Sequence, residues 1–358
     1  MKKGYIFSWY NYGRNYGQTL QAYALQKVLN NEGYKVAHIC FGINRTVTQP
    51  FIIKLLDYLK LTNIERVVQA KFDLFISENM KVTKKLWTNK QVKKFIKKKN
   101  PDFLICGSDQ IWNPYNVHPF YYLAQIGDEK TNRIAYAVST CDKRRKEKFL
   151  EFPQIEKWIK KINYLYVREN TGKEIYSELF GIESEVVLDP TLLLSGEEWI
   201  SNLKLKTNNQ NYILCYAFNL TNDQEKMLKN IAQENECEIK YGNILEKEQI
   251  YKEQWSPTDF LEAILNAKKI FTDSFHGTAF SILFHKDFIV FDNGSDLQSD
   301  PYYNIDRMNT LLTLLELEER VINNNEEYSN KTIDYQRVDQ ILNKRRNECI
   351  SLLQRSIG

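Results

Sequence analysis

Histidine is scarce in this chain of 358 residues, with four in all, and the six cysteines are scattered at 40, 106, 141, 215, 237 and 349. No CxxC pair forms, and no Cys/His cluster has the spacing of a zinc site, so neither a metal nor a disulfide framework is expected. Buried thiols in a cytoplasmic protein are the economical reading. No window approaches 18 consecutive apolar residues, which argues against a membrane span. The N-terminal MKKGYIFSWYNYG is too short and too polar in its apolar part for a signal peptide. Acidic residues are missing from one long stretch, Lys81 to Lys99, which carries nine lysines. Such a run is either a solvated helix face or a surface for anionic lipid headgroups. Neither an aromatic–basic RNA motif nor a DNA-binding module accompanies it, so nucleic acid is not expected as a partner.

What is present is a globular composition, 43% hydrophobic and 13% aromatic with a formal charge of +4, long enough for two domains. Short apolar runs alternate with helical spacing from the start. Lys3–Trp9 reads as a strand, Gln18–Asn31 as a helix ended by Gly33, and Tyr34–Cys40 as a second strand. The loop between the first pair, Gly13-Arg14-Asn15-Tyr16-Gly17, is not the GxGxxG dinucleotide fingerprint. Helices are expected over 51–80 and 90–99. Strands follow at 102–106, 133–139, 164–168 and 185–188, each ending in polar residues. Residues 192–210 read as a polar crossover between domains. A second set then follows, with strands at 212–218, 238–241, 269–272 and 288–291 and helices at 222–235, 257–267, 275–284 and 306–315. A turn-rich loop covers 292–304, and 332–355 forms a long charged helix.

The sharpest local signal is Thr272-Asp273-Ser274-Phe275-His276-Gly277, a strand end running straight into a helix. Free N–H groups and the dipole at a helix start favour an anion, and an imidazole there can also move a proton near pH 7. The structural alternative is that Ser274 caps the helix and His276 packs beside it. Arg168, at the end of another strand, suits a phosphate or carboxylate, its alternative being an ion pair with Glu169 or a nearby carboxylate.

From end to end the chain resembles the polysaccharide pyruvyl transferase family. The matching segments are Asn15-Tyr16-Gly17-Gln18-Thr19-Leu20-Gln21, Gly107-Ser108-Asp109-Gln110-Ile111-Trp112-Asn113 and Ile134-Ala135-Tyr136-Ala137-Val138-Ser139. Val167-Arg168-Glu169, Leu188-Asp189-Pro190-Thr191 and Thr272-Asp273-Ser274-Phe275-His276-Gly277 complete them. The resemblance implies an α/β fold of two Rossmann-like domains facing a central cleft, similar to GT-B glycosyltransferases. The expected division is an acceptor domain over 1–191, a phosphoenolpyruvate domain over 192–330, and a C-terminal helix over 331–358 packing back on the first.

The implied activity is transfer of the carboxyethylidene group of phosphoenolpyruvate to two sugar hydroxyls as a ketal, in bacterial capsule or exopolysaccharide assembly. His276 and Asp109 are then the candidate acid and base. Arg168, Ser274, His276, Gly277 and Arg307 are candidates for phosphoenolpyruvate. Asn15, Tyr16, Gly17, Gln18, Gln21, Ser108, Gln110, Trp112 and Asn113 are candidates for the acceptor. Another branch of the family carries an arginine at the position of Ser274, where it holds donor phosphate. One contact here must therefore come from the helix N–H groups or elsewhere, and Arg307 falls near a donor-binding lysine of that branch. No cofactor beyond the co-substrate is implied. The acceptor is a saccharide or its polyprenyl-diphosphate-linked precursor, met in the cytoplasm at the inner face of the plasma membrane. Two other readings stay open: a nucleotide-sugar glycosyltransferase on the same fold, and a non-catalytic saccharide-binding subunit of an assembly complex.

Overall fold

The computed structural model describes residues 1–11, 14–41, 64–124, 126–208, 210–242, 255–292, 304–322 and 331–358. Apolar, β-branched runs buried on both faces make its strands, as parallel sheets require. Strands β1 (Lys3–Phe7), β2 (Lys35–His38), β3 (Phe103–Asp109), β4 (Asn132–Val138), β5 (Tyr164–Val167) and β6 (Glu185–Val186) form a six-stranded sheet ordered β2-β1-β3-β4-β5-β6. Its pairings are parallel throughout. A second parallel sheet is ordered β11-β10-β9-β7-β8. It contains β7 (Tyr212–Tyr216), β8 (Glu238–Tyr241), β9 (Lys269–Thr272), β10 (Asp287–Phe291) and β11 (Val321–Ile322).

In each sheet the chain winds one way and then reverses, between β1 and β3 in the first and between β7 and β9 in the second. Such reversal points open a crevice beyond the carboxyl ends of the strands. The helices of the first half are α1 (Tyr16–Asn31), α2 (Ile64–Asn79), α3 (Asn89–Lys99), α4 (Gln154–Ile159) and α5 (Asn170–Phe180). Those of the second are α6 (Gly196–Leu203), α7 (Asn222–Glu234), α8 (Pro257–Asn266), α9 (Phe275–Leu283), α10 (Asp306–Leu314) and α11 (Tyr335–Ile357).

Aromatic packing joins the two halves. Tyr16 lies between Phe72 and Phe260, 5.3 and 4.6 Å away between ring centroids, and Tyr23 lies 5.4 Å from Trp199. α5 and α10 are tied by Thr171, whose N–H and hydroxyl both donate to Asp306 Oδ2 at 2.8 and 2.7 Å. α11 returns to the first domain, as the pattern predicted. Tyr166 Oη and Ser356 Oγ are 2.8 Å apart, and Asn132 Nδ2 donates to the Ser356 carbonyl at 3.1 Å. The architecture is the expected one, two α/β domains of GT-B type around a cleft.

Two local expectations change. The polar crossover at 192–210 contains α6, because Ser195 and Glu198 form a reciprocal capping box and Trp199 is fully buried, donating to the Thr191 carbonyl at 3.0 Å. The strand expected over 102–106 runs on through Gly107 and Ser108 to Asp109. α2 covers 64–79 of the helix expected over 51–80; its residues 51–63, and 293–303 of the loop at 292–304, lie outside the described residues.

Candidate active site

The polar strand ends converge where the two sheets face each other. β5 delivers Arg168, which is buried with its side chain 1% exposed. Its Nη1 donates to Asp189 Oδ2 at 2.9 Å. Nη2 lies 3.6 Å from Asp109 and Nε 3.7 Å from Glu169, close enough to attract and too far to be hydrogen bonds. The guanidinium also lies 4.5 Å over the ring of Phe275, which comes from the second domain.

Asp189 is the hub. It caps the short helix Pro190–Leu193, accepting from Thr191 N and Oγ1 at 3.0 and 2.8 Å, and it also accepts from Ser108 Oγ at 2.6 Å. Burial would raise its pKa, but His276, Arg168 and these donors hold it below the ordinary carboxylate value. Glu169 behaves oppositely. Burial lifts its pKa despite Arg168 and the bonds from Thr140 N and Ser139 Oγ at 2.8 and 2.9 Å. Asp109 adopts a left-handed backbone, φ 66°, and Ala137 on the neighbouring strand does so at φ 51°. Strain of this kind gathers where a site must hold an unusual geometry.

His276 enters from the other side, in the first turn of α9. Its Nε2 is buried, makes no hydrogen bond among the described residues, and lies 3.8 Å from Asp189 Oδ1. Burial lowers the imidazole pKa against the pull of Asp189 and Asp109, and Arg168 and Arg307 lower it further. Across the ring stands Gly17 of α1, where an added Cβ would fall 2.0 Å from His276 Nδ1. The two strand-reversal crevices therefore touch at Gly17 and His276. Arg307 opens α10, its Nε donating to the Asn304 carbonyl at 3.0 Å. A cleft of about 460 Å³ is bordered by Arg168, Asp189, Phe275, Arg307, Lys344 and Arg345; His276 and Asp109 stand behind its Arg168 and Asp189 wall and do not line it.

His276, Arg168, Asp109, Ser108, Gly17 and Arg307 are thus brought together, and other expected positions are used differently. Ser274 caps α9, its Oγ accepting from Gly277 N–H at 3.4 Å, which removes one donor from any anion. Gly277 is small because Thr272 Oγ1 would lie 2.4 Å from an added Cβ. Asn15 caps α1, accepting from Gln18 N at 3.1 Å, and Tyr16 is interdomain packing. Gln21 is buried and donates to the carbonyls of Trp9 and Gln18, at 3.0 and 2.8 Å.

Gln18 and Gln110 are nearly buried, and Asn113 is fully so, accepting from Tyr115 N at 3.0 Å. Trp112 is 0% exposed, stacked 4.7 Å from Tyr122, so it has no face to offer a sugar. That corrects its expected place in the acceptor surface, and Asn113 with it. Ile111 and Trp112 are drawn under the first sheet by apolar burial. Asp189, Glu169 and Phe275 are site residues absent from the expected set. The Leu188-Asp189-Pro190-Thr191 turn at a strand end was the signal for Asp189.

Fold and cleft define an α/β protein of the GT-B type. A search of solved structures finds the UDP-GlcNAc 2-epimerase of Neisseria meningitidis bound to UDP-GlcNAc, with TM-score 0.51, 9% identity and 99% of each chain covered. It also finds the UDP-GlcNAc 2-epimerase of Methanocaldococcus jannaschii, with TM-score 0.50, 11% identity and 97% of this chain and 93% of that one covered. At such identities the likeness is one of fold. No curated protein sequence matches the chain. The family model for polysaccharide pyruvyl transferase matches residues 15–295, and the chain belongs to that family.

Proposed function

We propose that the protein transfers the carboxyethylidene group of phosphoenolpyruvate to two hydroxyls of a sugar, on a bacterial cell-surface polysaccharide or its lipid-linked precursor. One observation carries the reading. A buried imidazole whose Nε2 has no hydrogen bond among the described residues, from the second domain, meets buried carboxylates and their guanidinium, from the first, and Asp189 and Arg168 of that group line a cleft. A pure binding surface has no need of that combination.

In the reaction the enol C3 gains a proton, one sugar oxygen bonds to C2, phosphate leaves with the C2–O electron pair, and the second sugar oxygen closes the ketal. Two hydroxyl protons are lost; one matches the proton gained at C3, the other leaves with phosphate. Burial depresses the His276 pKa, which favours the neutral imidazole. A phosphate dianion beside Nε2 would restore its affinity for a proton, making it the donor to C3 or to the departing phosphate. Arg307, at the mouth of the cleft, is the cation placed to meet the anion. Arg168 is held by carboxylates and sets the charge of the floor. Asp109 is the carboxylate assigned to draw a hydroxyl proton.

The test is incubation with phosphoenolpyruvate and a panel of glycosides. Phosphate release together with a pyruvyl mass gain on the saccharide is the expected result. Release of a nucleoside diphosphate from a nucleotide sugar, with no reaction of phosphoenolpyruvate, would assign it instead to glycosyl transfer.

A further inference from the structure

Helix α3 has no part in the site, yet its surface is built to a pattern. It buries Val92 and Ile96 in the core on the outer face of the first sheet. The capping box of Thr88 and Gln91 fixes where the helix begins, and hence which lysines align. Lys90, Lys93, Lys94 and Lys97 are all exposed and stand at i, i+3, i+4 and i+7. They form one row about 10 Å long on the face away from Val92 and Ile96.

The helix dipole favours only part of the row. Lysines at a helix C-terminus complement the dipole, which suits Lys97, Lys98 and Lys99. Lys90 lies in the first turn, where the dipole disfavours a cation. Lysines four apart repel each other, and among the described residues none of these four ammonium groups is in an ion pair. An external anionic surface would supply a counter-charge.

A second observation says what kind. Trp87, just before the cap, is 71% exposed, with Lys85 Nζ 5.6 Å from its ring centroid. Leu86 bridges Phe41 just beyond the carboxyl end of β2, so Trp87 sits at the end of the sheet from which Asp109 and Arg168 project. An indole in water beside a row of ammonium groups matches a headgroup region, where the ring takes the interface and the cations take phosphates.

We propose that Trp87 and the row Lys90, Lys93, Lys94, Lys97 dock the protein on a bilayer containing anionic phospholipid. Delivery of a lipid-linked acceptor to the cleft would follow, and that clause alone rests on the function proposed above. The test is co-sedimentation with vesicles of phosphatidylcholine, with and without phosphatidylglycerol. Binding is expected to the anionic vesicles only, with release by salt as the screening length falls to about 8 Å and below.

Replacing the four lysines with Gln should lower partitioning by about 600-fold with helix content unchanged, since each basic residue near such a surface contributes about fivefold. Brominated lipid should quench fluorescence of the parent, an effect lost in Trp87→Phe. Turnover on a water-soluble acceptor should be the same in all three proteins, which separates docking from chemistry. Equal vesicle binding by the four-Gln variant would overturn the proposal, as would tighter binding to single-stranded DNA than to anionic vesicles.

Discussion

His38 and His276 are both buried and both desolvated, yet their surroundings differ in one respect. His38, at the end of β2, is satisfied on both nitrogens: Nδ1 lies 3.3 Å from Ser8 Oγ and Nε2 lies 3.0 Å from the Ala22 carbonyl. His276, at the start of α9, leaves Nε2 without a hydrogen bond among the described residues, facing Asp189 at 3.8 Å. Burial is common to both, so burial does not mark a functional histidine. What sets His276 apart is an unsatisfied buried nitrogen that also faces the Asp189–Arg168 cluster.

The largest expected effect follows directly. His276→Ala should lower pyruvyl transfer on the order of 10²–10⁴-fold while the melting temperature stays near that of the parent. His38→Ala should do the reverse, losing stability while the folded fraction turns over normally. Steady-state rates and thermal melts on both variants check the pair. If the His276 variant melts early and keeps its rate, the two histidines are of one kind.

The next effect concerns Arg168, whose partners make it both structural and functional. Arg168→Met removes the charge but leaves Asp189, Asp109 and Glu169 facing one another in a buried space. Losing one partner of such a cluster costs about 3–5 kcal/mol, so the variant should unfold at markedly lower denaturant. Arg168→Lys should recover only part, since an ammonium lacks the planar fork. An unchanged denaturation midpoint for Arg168→Met would leave the guanidinium no structural share.

How much of this was legible in the sequence follows from the same contrast. Alternating apolar runs and caps specify local elements, so β1 through β10 and most helices stand near where periodicity places them. α4, α5 and α6 are the exceptions. The Ser195–Glu198 box of α6 was present in the sequence, but surrounding lysines and asparagines obscured it. His276 and Arg168 were legible because strand ends in parallel sheets are where polar groups meet. Asp189, the group that joins them, was not singled out because Asp-Pro-Thr is also ordinary turn chemistry. Trp112 was misplaced for a different reason: an aromatic in a polar loop can face either way, and only the packing of Tyr122 and Tyr176 against it decides.

A third effect turns on pH. Burial pushes the His38 pKa down to about 4, from an unfolded value near 6.5. The unfolded chain therefore takes up a proton first on acidification. Stability is full above pH 6.5 and is lost as the pH falls toward 4, by about 3 kcal/mol in all. His276 adds loss in the same direction. Urea denaturation between pH 7 and 4 should show His38→Gln less acid-sensitive than the parent. A parent and variant with parallel pH profiles would show that His38 does not differ between the folded and unfolded chains. Phosphoenolpyruvate should flatten the His276 part alone, because His276 stands beside Asp189 of the cleft wall whereas His38 is enclosed between Ser8 and Ala22.

The smallest expected effect probes the contact that joins the two crevices. Gly17 lies in the first turn of α1 with an ordinary helical backbone, so alanine there would favour the helix by up to about 1 kcal/mol. Its Cβ, however, would lie 2.0 Å from His276 Nδ1, and the ring must move. Displacing a reacting group by about 1 Å costs up to about 10²-fold in rate. Gly17→Ala should therefore lose about 1–3 kcal/mol to overpacking, offset in part by the helix gain, and one to two orders of magnitude in kcat, with the stability loss relieved when His276 is also alanine. Combined with His276→Ala it should cost nothing further, because the ring it displaces is gone. Additive losses in that double variant would mean Gly17 serves the sugar side directly, and the comparison with His38 would then rest on Nε2 alone.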